Sequence, residues 1–161
     1  MWYSAPSMLP ERATTADYNA IINALGEYWG ERDMRARHHP MFIHEFGDTA
    51  LVMRDGSGSV AAYLLGFVAP TQVGYVHLVG VRADSRRAGL GRRLYQEFET
   101  LARHRGATAL KAIGVPTNHD SIAFHRALDM SATEVPDYSG PGQPRIVFWR
   151  DLTKQRGDTP R

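Results

Sequence analysis

Residues 83–93 read Ala-Asp-Ser-Arg-Arg-Ala-Gly-Leu-Gly-Arg-Arg and directly follow the apolar run Gly-Tyr-Val-His-Leu-Val-Gly-Val at 74–81. A strand that feeds a glycine-bearing turn opening a helix presents backbone N–H groups at the positive end of that helix, and phosphate oxygens are natural acceptors for them. Gly89 and Gly91 let the backbone approach an anion closely, and Arg86, Arg87, Arg92 and Arg93 add planar forks of donors suited to phosphate. The chemistry this spacing offers is polyphosphate binding, with a solvated basic helix start as the competing reading. The segment lacks the Gly-Lys-Ser/Thr of a nucleoside-triphosphate loop and the three-glycine dinucleotide fingerprint with its ribose-binding acid.

The surrounding elements follow from hydrophobic periodicity. Residues 7–13 suggest a short first strand. Thr14 or Thr15 then caps a helix carrying Tyr18, Ile21, Ile22, Leu25, Tyr28 and Trp29 at three- and four-residue steps. A less regular helical or loop segment interrupted at Pro40 comes next. The runs 49–54 and 59–69 flank Asp55-Gly56-Ser57-Gly58 and form an antiparallel hairpin, closed by Pro70. After the strand at 74–81, Leu90, Leu94, Phe98, Leu101 and Ala102 share one helical face, and Gly106 ends that helix. A strand at 108–115, a short helix at 119–128, a loop at 134–144 and a final strand at 145–152 complete the chain. The expected fold is α/β (α+β): a mixed, mostly antiparallel twisted sheet flanked by helices, with a central strand-helix-strand crossover.

Arg86-Arg87-Ala88-Gly89-Leu90-Gly91 resembles the acyl-CoA-binding motif Gln/Arg-x-x-Gly-x-Gly/Ala of the GNAT superfamily of N-acetyltransferases. The resemblance extends from about Pro10 to Leu152, because Asn118–Met130 is similar to the family's later Asn-x-x-Ala-x-x-Phe-Tyr-x-x-x-Gly-Phe block. It implies that the backbone of Val79, Gly80 and Val81 pairs with the pantetheine arm like an extra strand. Arg86, Arg87, Ala88, Gly89, Leu90, Gly91 and Arg92 would wrap the pyrophosphate. The strands around Val79 and Ala112 splay apart in that family, with the cofactor in the gap, and its Asn, here Asn118, often meets the pantetheine. As a helix cap, Asn118 also has a structural role.

An amine with a pKa near ~10.4 must lose a proton before it attacks a thioester, so a base is useful. Where many relatives carry glutamate the aligned residue is Tyr75, and His77 lies two positions on, on the same strand face. Histidine titrates near neutrality and suits the task, with core packing as the alternative. His125 stands where the family has a tyrosine thought to protonate the departing thiolate, and either does that work, hydrogen-bonds the cofactor or packs the helix. Asp129 replaces the glycine expected after that helix. By the same resemblance the acceptor is lined from 27–39, 73–77 and 134–144, which brings in Trp29, Glu31, Tyr75, Tyr138 and Phe42. Glu27, Glu31 and Asp33 favour a cationic amine, whereas Arg32, Arg35 and Arg37 favour one bearing a carboxylate.

The chain has 161 residues, enough for one domain (1–153) and a polar tail (154–161). With 19 basic and 17 acidic side chains, the near balance argues against nucleic-acid binding, and no apolar run suits a membrane span. The absence of cysteine removes an acyl-cysteine intermediate and fits a reducing cytoplasm. No metal is expected. The resulting expectation is transfer of an acetyl group from acetyl-CoA, or another acyl-CoA, to a primary amine of a small molecule, by direct attack in a ternary complex. A protein or peptide amine is the alternative acceptor, a non-catalytic acyl-CoA-binding module the alternative class, and a homodimer stays open.

Overall fold

The first helix starts where its capping residues dictate. In the computed structural model, which describes residues 9–154, the Thr14 hydroxyl accepts from the Asp17 amide and the Asp17 carboxylate accepts from the Thr14 amide. This capping box opens α1 (Thr15–Asn23). Both oxygens of the buried Asp17 carboxylate also receive Arg54 at 2.8 Å. Burial pushes the Asp17 carboxyl up, but the bonds from Arg54 and Thr14 prevail and hold it below the usual carboxylate range.

The single helix expected through Trp29 is two. The Ala24 amide donates to Ile21, three residues back, at φ −127° and ψ 27°. That tight bond ends the i→i−4 ladder before α2 (Leu25–Trp29) begins. Ile21 and Tyr28, seven positions apart, are both buried. After two 3₁₀ turns and α3 (Met41–His44), the chain enters the sheet.

β1 is only Glu11–Arg12, paired antiparallel with β2 (Leu51–Arg54); positions 7–8 of the expected strand and residues 155–161 of the expected tail lie outside the described residues. β2 and β3 (Val60–Val68) form the expected hairpin, with a bulge between Met53 and Arg54. β4 (Val73–Val81) alternates strictly: Gly74, Val76, Leu78 and Gly80 are buried, and Val73, Tyr75, His77, Val79 and Val81 are half-buried. α4 (Leu90–His104) crosses over to β5 (Ala109–Gly114), which pairs parallel to β4 from Val73↔Ala109 to Val76↔Ala112. α5 (His119–Ala127), β6 (Ser131–Val135) and β7 (Arg145–Asp151) follow, and the sheet order is β1-β2-β3-β4-β5-β7-β6. The expected α+β architecture with its central crossover is therefore present. β6 goes beyond the sequence expectation, which places residues 134–135 in a loop. Ser-Ala-Thr-Glu-Val has no apolar alternation, and its strand conformation is fixed by the antiparallel ladder to β7.

Two compact units can be described. One comprises residues 9–67 and 78–101 and has Ile21, Tyr28, Phe42, Val52, Tyr63 and Leu65 in its core. Phe42, expected as an acceptor contact, is 2% exposed and is a core residue instead. The other comprises residues 68–77 and 102–154 and buries Leu110, Ala112, Met130 and Phe148.

α5 ends in a Schellman arrangement in which the Asp129 amide bonds Arg126 O at 3.0 Å and the Met130 amide bonds His125 O at 3.1 Å. The motif needs a left-handed residue, and Asp129 adopts φ 61°. Asp129→Gly is expected to raise the unfolding free energy by about 0.5 kcal/mol, the relief of left-handed strain being partly offset by glycine's greater unfolded-state entropy. Urea unfolding measures it, and a destabilised variant contradicts the assignment of strain.

Candidate functional site

Past Val81 the chain makes a 3₁₀ turn at Ala83–Ser85, extends at Arg86, and then takes two left-handed residues, Arg87 at φ 64° and Gly89 at φ 75°. The Arg93 amide bonds the Gly89 carbonyl at 3.1 Å, so the amides just before it belong to the first turn of α4. Left-handed residues in such a turn converge successive N–H groups into an anion-binding concavity. An added Cβ at Gly89 meets nothing within 4 Å, so its glycine is required by φ alone. Residues 86–89 and Arg92 are exposed, whereas Leu90 and Gly91 are buried. The exposed side chains of Arg87 and Arg93 make no hydrogen bond or ion pair to any described residue.

Two other arginines are held by protein acceptors. Arg82 was not singled out from sequence, yet it bonds Asp55 and Asp84 at 2.6 Å each and the Val60 carbonyl at 3.3 Å. Hydrogen bonds from Ser57 and then Arg82 hold the Asp55 carboxyl far below the usual range, while the two aspartates raise Arg82. Arg86 donates to the carbonyls of Tyr28 at 2.8 Å and Val81 at 3.4 Å.

Gly80 is needed for space. A Cβ there would lie 2.5 Å from the ring of Tyr63, which has no exposed surface. The Tyr63 oxygen accepts the Trp29 indole N–H at 2.7 Å and lies 2.7 Å from His38 Nε2. His38 Nδ1 is 2.7 Å from the Met34 carbonyl, which can only accept, so Nδ1 carries the proton and Nε2 accepts from the Tyr63 hydroxyl. A neutral His38 thus completes a Trp29–Tyr63–His38–Met34 chain, and burial pushes the Tyr63 phenol well up. Trp29, expected at the acceptor, is tied into this network with Arg32 over its ring at 5.7 Å; Glu31 is exposed. Neither His38 nor Tyr63 was legible as important from sequence, where each was one polar residue in an irregular or apolar run.

Other candidates fall in the second unit. Tyr75 and His77 are half-buried on one face of β4 with ring centroids 6.2 Å apart. Asn118 caps α5, accepting from the Ser121 amide at 3.1 Å, and Ser121 in turn presents its carbonyl to His125 Nδ1 at 2.7 Å. His125 is buried and stacked on Phe148 at 3.9 Å. Burial lowers its pKa against the opposing bond to Ser121, so its proton sits on Nδ1 and the ring is neutral at pH 7. That state leaves Nε2 an acceptor rather than an acid. Tyr138 is exposed, with Lys111 Nζ 5.2 Å above its ring.

Tyr18, Asn19, Ile22, Asn23, Arg35 and His38 line a cavity of about 520 Å³ in the first unit, within the range of small-ligand sites. No acidic side chain lines it, and the Arg35 charge opposes the upward effect of burial on the Tyr18 phenol. Among the described residues no group of three or more His, Cys, Asp or Glu could hold a metal ion, and no helix is long and apolar enough to cross a membrane.

Residues 17–130 match the family model described as acetyltransferase (GNAT) family. No curated protein matches the chain. Among solved structures, the chain is similar to Ard1 from Thermoplasma volcanium, with 18% identity and TM-score 0.75, covering 90% of this chain and 97% of that one. It is similar to the ribosomal-protein-S18-alanine N-acetyltransferase of Escherichia coli, with 16% identity, TM-score 0.68 and coverage of 94% and 98%. It is also similar to yncA from Salmonella typhimurium, solved with its cofactor acetyl-CoA, at 20% identity, TM-score 0.70 and coverage of 95% and 98%.

Gly80→Ala is expected to lower stability by about 1–3 kcal/mol, because the added methyl must displace a ring held by two hydrogen bonds; an unchanged denaturation midpoint would show that the ring gives way freely. His125 makes a separate pH prediction. Its folded pKa lies below the ordinary histidine value of 6.5, so the unfolded chain binds the proton more readily and stability falls as pH drops from about 6.5 toward the lowered folded value. His125→Gln is expected to flatten that part of the stability profile relative to the parent, as read by urea unfolding between pH 7.5 and 5.

Proposed function

Because the chain belongs to the acetyltransferase (GNAT) family and is an acyl-CoA-dependent acetyltransferase, we propose that it transfers the acetyl group of acetyl-CoA to the primary amine of a small molecule. The observation that carries the cofactor side is the turn at 86–91, where two left-handed residues lead into the first turn of α4 beside exposed arginines. These residues fit a diphosphate: the amides of Gly89, Leu90 and Gly91 would hold it, with Arg87 and Arg92 at its rim. Val79, Gly80 and Val81 lie beyond the last β4–β5 pair, Val76↔Ala112, and would offer backbone groups to the pantetheine amides.

On the acceptor side His77 takes a proton from the ammonium group, directly or through water. The freed amine nitrogen bonds to the thioester carbonyl carbon and the C–S bond breaks; the nitrogen's second proton passes to the departing thiolate, so that the amide forms and coenzyme A leaves as its thiol. A thiol of this kind titrates near ~8.5, so its thiolate leaves without a strong acid. The neutral His125 ring suits a hydrogen-bond acceptor toward the thiol, and Asn118 orients α5. Tyr75, Trp29, Glu31 and Tyr138 are the residues proposed to contact the acceptor. A second acceptor, the N-terminal amine of a protein, is supported by the likeness to the S18-alanine N-acetyltransferase.

Thiol release from acetyl-CoA against a panel of amino acids, polyamines and peptides tests the acceptor; turnover confined to peptides rejects the small-molecule reading. Gly89→Glu is expected to raise the KM for acetyl-CoA more than tenfold, since a carboxylate beside the diphosphate costs well over about 1.4 kcal/mol, while leaving the acceptor KM within about twofold. Equal effects on both constants count against the diphosphate at this turn. His77→Ala is expected to depress kcat most at low pH, where the amine is more protonated, and an unchanged pH profile removes it as the base.

A further inference from the structure

Arg86 opens the acyl-CoA-binding motif, yet its guanidinium is engaged by protein carbonyls. Its Nη2 donates to the Tyr28 carbonyl at 2.8 Å and its Nε to the Val81 carbonyl at 3.4 Å. Tyr28 lies in the last turn of α2, where carbonyls lack helical partners and carry the negative end of the backbone dipoles. This anchor is rigid: Tyr28 is 4% exposed, its hydroxyl donates to Val60 O at 2.8 Å, and its ring packs edge-on against Tyr63 at 5.1 Å. Val60 O also receives Arg82. Arg82 and Arg86 therefore fasten the turn to Val60 and Tyr28, which the Tyr28 hydroxyl joins, and Arg87, with its left-handed backbone, is the neighbour whose guanidinium makes no hydrogen bond or ion pair among the described residues.

We propose that Arg86 is a positioning residue and not a phosphate ligand: it clamps the start of the phosphate turn to the C-terminal carbonyl of α2, and by fixing Val81 O it sets the end of the strand that receives pantetheine. The inference rests on the proposed placement of acetyl-CoA at this turn. Its consequence is that losing Arg86 weakens every ligand that uses the strand end, with or without phosphate. A phosphate ligand would behave differently, its loss being felt only by phosphate-bearing ligands and appearing as a reduced salt dependence.

The experiment compares binding of acetyl-CoA and of acetyl-pantetheine, which lacks phosphate, to the parent chain, Arg86→Ala and Arg86→Gln by calorimetry. Arg86→Ala is expected to weaken both ligands by a similar factor of roughly ten, the effect of one hydrogen bond from a charged donor. Arg86→Gln, which keeps an N–H donor without the charge, is expected to restore both to within about threefold of the parent. Loss of acetyl-CoA affinity alone in both variants overturns the clamp, as does an Arg86→Ala variant unchanged toward either ligand.

Should the variants fail to fold, NMR of the Arg86 Nε–H in the parent chain decides. The clamp predicts a resonance little moved by coenzyme A, and a large downfield shift on adding it rejects the clamp. A parent chain that binds no coenzyme A overturns the proposed function itself, an outcome distinct from binding in which Arg86 contacts phosphate.

Discussion

The Tyr63 hydroxyl terminates a side chain with no solvent exposure, and the groups around it must agree with one another for β3 to sit where it does. Its oxygen takes the Trp29 indole proton, its own proton goes to His38, and His38 discharges its second nitrogen on the Met34 carbonyl. Each partner comes from a different part of the segment between α1 and the hairpin. A buried hydroxyl without these partners would carry a desolvation penalty of about 1–3 kcal/mol, so the network selects one arrangement of that irregular segment. Against the other side of the same ring lies Gly80, where even a methyl group would overlap.

From this point the construction of the phosphate turn follows. Tyr28 packs on Tyr63, and the Tyr28 carbonyl receives Arg86. Val60 accepts both the Tyr28 hydroxyl and Arg82, and Asp55, which organises the hairpin turn through Ser57 and Ser59, receives the other arm of Arg82. The basic residues of the segment consequently divide by task. Arg82 and Arg86 hold the backbone in place with their charge spent on protein oxygens, and the exposed Arg87 and Arg93 make no ion pair among the described residues. An anion site built from backbone amides needs such fixing, because amides act as preorganised donors only when the turn does not have to be ordered by the ligand.

The second unit shows how the same residue type reads differently by surroundings. His77 stands half-buried on a strand face beside Tyr75, whereas His125 is sandwiched against Phe148 and bonded to Ser121. Burial keeps the latter neutral, which suits packing and hydrogen-bond acceptance better than proton donation. Asp129 performs a glycine's task at the end of α5, showing that the Schellman bonds, and not the residue preference, fix that backbone.

Much of this architecture is written locally. The capping pair Thr14 and Asp17, the Asp-Gly-Ser-Gly turn, the alternation of 74–81 and the one-sided apolar stripe from Leu90 each report a period or a turn that nearest neighbours along the chain enforce, and the glycine spacing at 89 and 91 marks the anion turn. What folding alone decided is non-local. The strand at 131–135, the core position of Phe42, the anchoring of Arg82 and Arg86 on the carbonyls of Val60 and Tyr28, and the partnership of Trp29, Tyr63 and His38 all depend on atoms more than a helix or strand away. A sequence states which groups can hydrogen-bond, but only packing determines which acceptor each donor reaches once water has been removed.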